Sequence, residues 1–310
     1  MTQIIDLIKE GTTFQELSDI LGLSEQQLIT KLNYLRNQGF LIEPIYEFDL
    51  ETKLFLSRNF GSVKSNANIE INALGDTARF IVISDTHLGH IRDRTDYIQM
   101  VFEYAVKHGI HAVIHAGDLA ENYSPGDKYK DKLKVKDPIK TARYIVENYP
   151  KDNSITNYIL GGNHDFRTVA HYGVDISTFI TQKRPDMVFL GYKLATIEIN
   201  KDFIAVHHPF LQRERVAHES ELAELLGTKK PAFTLRGHTH RNLYYAEENR
   251  PPVVFVPALY DDSPEKVPGA LDIKINFLGG KINSFEIQSL IMEAKATQSS
   301  KVFQKLKTYQ

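Results

Sequence analysis

Phe80-Ile81-Val82-Ile83-Ser84-Asp85-Thr86-His87 is an apolar run that stops abruptly at a carboxylate and an imidazole. Four later runs end in the same manner. Ala112–His115 leads to Gly117-Asp118, Tyr158–Leu160 to Gly162-Asn163-His164-Asp165, Phe203–Val206 to His207-His208-Pro209, and Phe233–Leu235 to Gly237-His238-Thr239-His240. Successive blocks stand about 33, 45, 44 and 31 residues apart. Each gap has room for roughly one strand and one helix, the repeat of an α/β layer. The gaps also carry helical patterns. Ile98, Val101, Phe102, Ala105 and Val106 share one face of a helix ending at Gly109, and Asp137-Pro138 opens another that runs to about Tyr149. Leu222, Leu225 and Leu226 mark a third, closed by Gly227.

Downstream, short strand-like runs alternate with turns from Val253 to about Ile291, including Gly279-Gly280, and the polar, lysine-rich stretch 292–310 reads as a helix or a frayed tail. Upstream, residues 61–78 are rich in Gly, Ser and Asn, as expected of a linker or surface loop. Residues 1–60 have a different rhythm. Ile4, Ile5 and Ile8 form an apolar face stopped near Gly11. Thr13 caps a second helix carrying Phe14, Leu17, Ile20 and Leu21. After Gly22, Ser24 and Gln27 have capping-box spacing before Leu28, Leu32 and Leu35. Ile45–Phe48 and Lys53–Ser57 then alternate as two strands. Three helices followed by a hairpin resemble the winged helix-turn-helix family in order and length.

The composition narrows the chemistry. A 310-residue chain with 42% hydrophobic and 25% charged residues can bury a sizeable core. With no cysteine, disulfides, thiolate catalysis and cysteine–zinc sites are excluded. A net charge of -2 gives no whole-chain attraction to nucleic acid or membrane. The start has no basic region before an apolar one, and no run approaches the roughly 18 apolar residues of a membrane span. A cytoplasmic protein without a membrane partner is expected.

The blocks together supply three carboxylates, an amide and several imidazoles. That mixture disfavours all-oxygen magnesium or calcium sites and suits manganese, with iron or zinc as alternatives. Two such ions side by side can bridge a water, lower its pKa and clamp the oxygens of an in-line displacement, which makes a phosphate ester the natural target. In this order, D-x-H, G-D, G-N-H-D, H-x-P and G-H-x-H resemble the calcineurin-like metallophosphoesterase superfamily over roughly residues 79–290. The resemblance implies a four-layer α/β/β/α sandwich over 79–291, preceded by the small winged-helix α+β module and the linker. It implies that Asp85, His87 and His240 hold a first metal, that Asn163, His207 and His238 hold a second, and that Asp118 bridges them. The family pattern puts the ligand two residues before proline, which selects His207 over His208. By the same resemblance His164 stabilises charge at the phosphate or protonates the leaving oxygen, and Asp165 orients His164 through a hydrogen bond.

Other residues have blander readings. His90 and His208 read as rim residues before substrate contacts, His171 as helix surface or substrate contact, and Asp165 also as a helix cap. Lys128, Lys130, Lys132, Lys134, Lys136 and Lys140, interspersed with Asp127, Asp131 and Asp137, form a solvated loop or a polyanion guide near the site mouth. Arg213 and Arg215 pose the same choice, and Tyr244 and Tyr245 suit strand packing better than base stacking. Residues 1–60 carry five basic against nine acidic side chains, so the module fits protein docking or dimerisation about as well as DNA. A metal-dependent phosphodiesterase or nuclease acting on nucleic acid is the leading expectation. The alternatives are a hydrolase of small phosphoesters and a regulator that only senses a ligand, the latter disfavoured by the complete block set.

Overall fold

The computed structural model describes residues 2–9, 12–37, 42–46, 52–56, 68–70, 75–122, 130–172, 175–210, 226–227, 229–248, 250–263, 265–292 and 303–304. The chain begins with α1 (Thr2–Lys9), β1 (Thr12–Thr13), α2 (Phe14–Leu21), α3 (Glu25–Asn37), β2 (Ile42–Tyr46) and β3 (Thr52–Leu56). Thr13 caps α2 with a reciprocal pair of bonds: its hydroxyl accepts from Glu16 N–H at 3.0 Å, while its own N–H donates to Glu16 Oε2 at 2.8 Å. Ser24 and Gln27 repeat the arrangement before α3. Ile4, Ile8, Leu17, Leu28, Leu32 and Leu35 make a separate small core. The two-residue β1, which has no periodicity of its own, joins the hairpin as a three-stranded sheet ordered β1-β3-β2.

The remainder runs through β4 (Asn68–Glu70), β5 (Thr77–Ile83), α4 (Thr95–Lys107), β6 (Ala112–Ala116), α5 (Pro138–Asn148), β7 (Thr156–Gly161), α6 (Asn163–Tyr172), α7 (Ile176–Lys183), β8 (Met187–Tyr192), β9 (Leu194–Ile199) and β10 (Asp202–His207). It closes with β11 (Thr234–Arg236), β12 (Leu243–Tyr245), β13 (Val253–Phe255), β14 (Gly269–Leu278), β15 (Lys281–Ile291) and β16 (Phe303–Gln304). Seven strands form a sheet ordered β16-β15-β14-β5-β6-β7-β8, and six form another ordered β12-β13-β11-β10-β9-β4. Side chains alternate across a strand, so β5 serves two cores. Ile81 and Ile83 pack with α4, α5 and α7, whereas Phe80 and Val82 pack with β9, β10 and β11 of the second sheet. Burial on both faces explains the unbroken apolar run that the sequence shows there.

Three stretches differ from expectation. The 61–78 segment supplies β4, which pairs in parallel with β9, and the first residues of β5. The short runs after Val253 include one long hairpin, β14–β15, turning at Gly279-Gly280. The 292–310 tail contributes β16, paired to Ser289 and Leu290. The helix read around Leu222–Gly227 falls largely outside the described residues, and Arg213, Arg215 and Lys128 lie outside them. Among the described residues the layers are helix, sheet and sheet, and no helix is long and apolar enough to cross a membrane.

One buried ion pair braces the helical layer. The Arg184 guanidinium donates to the carbonyls of Val146, Tyr149 and Pro150 at 3.2, 2.7 and 2.7 Å and grips Asp186 at 2.8 and 2.7 Å. Burial pushes the Asp186 carboxyl up, but the bond and charge of Arg184 outweigh it and hold the pKa below its usual value. Arg184→Met is expected to cost roughly 3 kcal/mol, because it strands a buried carboxylate. A depressed carboxyl pKa contributes stability above its unfolded value and loses it as pH falls through the folded one. Urea unfolding near neutral and at acid pH checks this: the gap between variant and parent should narrow in acid.

Candidate metal centre

All five blocks lie at one end of the two sheets, beyond the carboxyl ends of the parallel strands β5, β6 and β7 and of β10 and β11, where α/β folds commonly place their sites. Asp85, His87, Asp118, His238 and His240 have positive φ, between 44° and 75°. Non-glycine residues rarely adopt that conformation, and at functional sites the surrounding structure holds them in it. Asp85 N–H donates to Gly117 O at 2.9 Å and His87 N–H to Asp118 O at 3.1 Å, so the β5 and β6 turns brace one another. Leu259 N–H donates to Ser84 O at 3.0 Å, tying in the loop after β13.

The side chains converge in overlapping groups. Ligand atoms of Asp85, His87 and His240 lie within 4.8 Å of one another, as do those of Asp118, His208 and His238, and those of His87, Asp118 and His164. Asp85 Oδ1 is 3.1 Å from His240 Nε2, and Asp118 Oδ2 is 3.1 Å from His208 Nε2. Asp118 Oδ2 also stands 3.9 Å from His87 Nε2, between the two clusters. Asn163 Oδ1 sits 2.9 Å from His238 Nδ1 and 3.3 Å from His208 Nε2.

His208 therefore stands where the sequence reading put His207. His207 is the last residue of β10, in register with Leu194 and Arg236, and belongs to none of the three ligand groups found among the described residues. The His208 ring is fully buried, and Nδ1 lies 2.7 Å from Ala116 O, a contact that leaves Nε2 aimed at Asp118.

Asp165 also differs from expectation. Its carboxylate accepts backbone N–H groups of Gly162, Leu119 and Ala120 at 2.8, 3.1 and 2.8 Å, pinning the β6 turn to the start of α6. Burial and the charge of Asp118 lift its pKa to about 7 against those three donors. The group that orients His164 is Glu121, whose Oε1 is 2.8 Å from His164 Nδ1 and whose Oε2 is 2.7 Å from His87 Nδ1. Its place three residues after Asp118, inside the second block's turn, was the available signal. Asp262, 2.8 Å from His240 Nδ1, had none, since it returns from a loop beyond β13. Tyr260 packs against His87, His90 and His240, with ring centroids 4.6, 5.6 and 5.6 Å away.

Of the flanking residues, Lys134 is bonded to the buried Asp93 carboxylate, which also accepts Gly89 N–H at 2.8 Å. It fastens the lysine loop to the Asp85–Asp93 turn and serves as structure. Lys132, Lys136 and Lys140 are exposed. Tyr244 packs on Phe285 within the sheet layer, while the side chain of His171 lies outside the described residues.

The electrostatics suit divalent cations. Burial raises the pKa values of Asp85, Asp118 and Glu121, yet the surrounding imidazoles outweigh it and hold all three well below the usual carboxylate range. Against burial, His208 is raised to about 9, mainly by Asp118, and His240 to about 10 by Asp262 and Asp85. Burial and the neighbouring His208 lower His238 to about 4. Meanwhile His87 Nε2 and His238 Nε2 are buried with no hydrogen-bond partner. Orphaned imidazole nitrogens beside anionic carboxylates are a donor set that divalent cations would complete.

The calcineurin-like phosphoesterase family model matches residues 78–242, more than half of the chain. No curated protein matches significantly. Similar solved structures include a conserved uncharacterized protein described as a predicted phosphoesterase, from Streptococcus pneumoniae TIGR4, with 14% identity, 74% of this chain and 98% of that one covered, and a TM-score of 0.38. Vps29 from Entamoeba histolytica in complex with zinc has 14% identity, the same coverages and a TM-score of 0.41. Vps29 from Chaetomium thermophilum has 13% identity, 74% and 96% coverage and a TM-score of 0.43. Through a matched segment that contains all five strand-end blocks whole, this chain belongs to the calcineurin-like phosphoesterase family, metal-dependent hydrolases of phosphate esters.

Proposed function

We propose that the chain hydrolyses phosphodiesters with a pair of divalent cations, one held by Asp85, His87 and His240, the other by Asn163, His208 and His238, with Asp118 shared. The convergence of these groups around Asp118 carries the reading. Cations bound there supply an acidic water and a charge clamp on the phosphoryl oxygens, and the mixed oxygen and imidazole donors favour manganese over magnesium. The chain's own contribution centres on His164. A carboxylate can only accept, so the contact with Glu121 keeps a proton on Nδ1 and leaves Nε2 to protonate the departing oxygen. Burial lowers the His164 pKa, but Asp118 and Glu121 outweigh it and raise it above the ordinary value, which favours the acid form. His164→Ala is expected to keep its cations and lose roughly 10²–10⁴ in kcat. Cation analysis beside turnover of bis-p-nitrophenyl phosphate checks this, and loss of the cations would sink the assignment.

Nucleic acid is the proposed substrate. Exposed lysines flank the site rim, where Ile91 N–H donates to Lys132 O at 2.8 Å, and the helix–strand–helix–helix–hairpin order of residues 2–56 supports a winged-helix reading for the first unit. A small phosphoester is favoured instead by Asp6, Glu16 and Asp19, exposed acidic residues on that unit. Incubation with manganese and single- or double-stranded DNA decides between them. Intact strands together with turnover of bis-p-nitrophenyl phosphate select the small ester, with the first unit left for docking or dimerisation.

A further inference from the structure

Thr86 stands between Asp85 and His87, whose backbones take left-handed φ values of 51° and 44°. A turn with two such positions persists only where its surroundings hold it. Thr86 makes one such hold, through two groups outside the ligand set. Its hydroxyl lies 2.9 Å from Leu119 O and 3.0 Å from Nε2 of His115, and the Thr86 and His115 side chains are both fully buried. A carbonyl only accepts, so the hydroxyl donates to Leu119 O and its oxygen takes the Nε2–H of His115. The reverse order would put the ring proton on Nδ1, which is buried without a hydrogen-bond partner. A buried orphan N–H is the rarer defect, and an orphan lone pair the milder one. His115 lies within β6, in register with Ile83 of β5, and Leu119 directly follows Asp118. The relay therefore runs from the sheet to the β5 turn, and from there to the β6 turn.

We infer that His115 is a positioning residue for the cation pair: through Thr86 it fixes the spacing between the Asp85–His87 turn and Asp118. The inference rests on the cation-pair reading above and adds a determinant of affinity from side chains outside the ligand set. The distances at stake are those of Asp85 Oδ1 and Asp118 Oδ2 from His87 Nε2, both 3.9 Å. Backbone bonds tie the two turns at Asp85 and at His87, and the Thr86 hydroxyl supplies a further tie at the residue between them. Leu119 O also accepts Leu88 N–H at 2.9 Å, so loss of the hydroxyl removes the tie without orphaning the carbonyl.

The test uses the full chain stripped of cations, as wild type, Thr86→Val, Thr86→Ser, His115→Leu, His115→Gln and the double variant Thr86→Val/His115→Leu. Manganese is titrated into each by calorimetry, and urea unfolding of the same stripped chains runs alongside. Thr86→Val and His115→Leu should each weaken manganese binding about 10–100-fold, the cost of losing an outer partner of a metal site. Thr86→Ser keeps the hydroxyl and His115→Gln keeps a donor near the place of Nε2, so both should bind within a few-fold of wild type. The double variant should lose little more than the worse single one, because both changes break the same relay. His115→Asn, whose amide is too short to reach Thr86, replaces the leucine variant if that chain does not fold. Manganese affinity unchanged in the valine and leucine variants, with only the urea midpoint lowered, overturns the positioning role and leaves ordinary core packing. Losses that add in the double variant, or that serine and glutamine fail to restore, overturn it as well. Wild-type chain that takes up no manganese overturns the cation-pair reading and the positioning role with it, an outcome distinct from wild type and variants that load equally.

Discussion

His208→Ala is expected to release a cation and end hydrolysis, whereas His207→Ala keeps both cations and loses stability. The two histidines are neighbours, both are fully buried, and the local sequence treats them alike. Their surroundings separate them. Nε2 of His208 faces Asp118 at 3.1 Å and Asn163 at 3.3 Å, with Nδ1 held on Ala116 O. Removing it should cost more than the roughly 10–100-fold in affinity or activity that loss of an outer partner costs. His207 ends β10 outside those ligand groups, and deleting its buried ring should cost roughly 2–5 kcal/mol. Cation content of each purified variant, with urea unfolding alongside, checks both halves. A cation lost from His207→Ala and retained in His208→Ala would restore the family pattern's choice.

The second large effect comes from a residue with no side chain. Gly162 sits where β7 ends and α6 begins, packed against the ligands themselves. A Cβ there would stand 2.5 Å from Asp118 N and 2.7 Å from His208 Nε2, and would collide with Asp118 Oδ1. These atoms are backbone and buried ligand, so none can retreat cheaply. Gly162→Ala is expected to displace Asp118 and His208 together, lowering cation content and activity by about 10²-fold or more, at a stability cost of roughly 1–3 kcal/mol. Gly109→Ala is the control. It has positive φ, 62°, and an added methyl meets nothing within 4 Å, so only backbone strain of about 1–2 kcal/mol is expected, with cations unchanged. A fully loaded and active Gly162→Ala chain would mean that the site is looser than these distances imply.

Much of the α/β architecture was legible because it rests on local periodicity. A strand buried on both faces must be apolar throughout, and β5, β6, β7 and β10 announced themselves in that way. Capping chemistry is equally local, as Thr13 and Asp137 show: each accepts a backbone N–H within its own first turn. The stretches read differently depend on distant partners. β4 is three residues long and exists as a strand because β9 lies beside it. β16 is two residues laid on β15. Neither has enough length for a period to be seen.

The site divides along the same line. From residue types alone, the five blocks specified the kinds of ligand, their order along the chain and the chemistry that such donors serve, because those properties belong to individual side chains. Tertiary structure alone decided which of two adjacent histidines faces Asp118, that Glu121 and not Asp165 holds His164, and that Asp262 returns from a later loop to meet His240. Those outcomes depend on five left-handed backbone positions and on the approach of separate loops. Apart from the place of Glu121 three residues after Asp118, none of these leaves a mark in the sequence near the residues it governs.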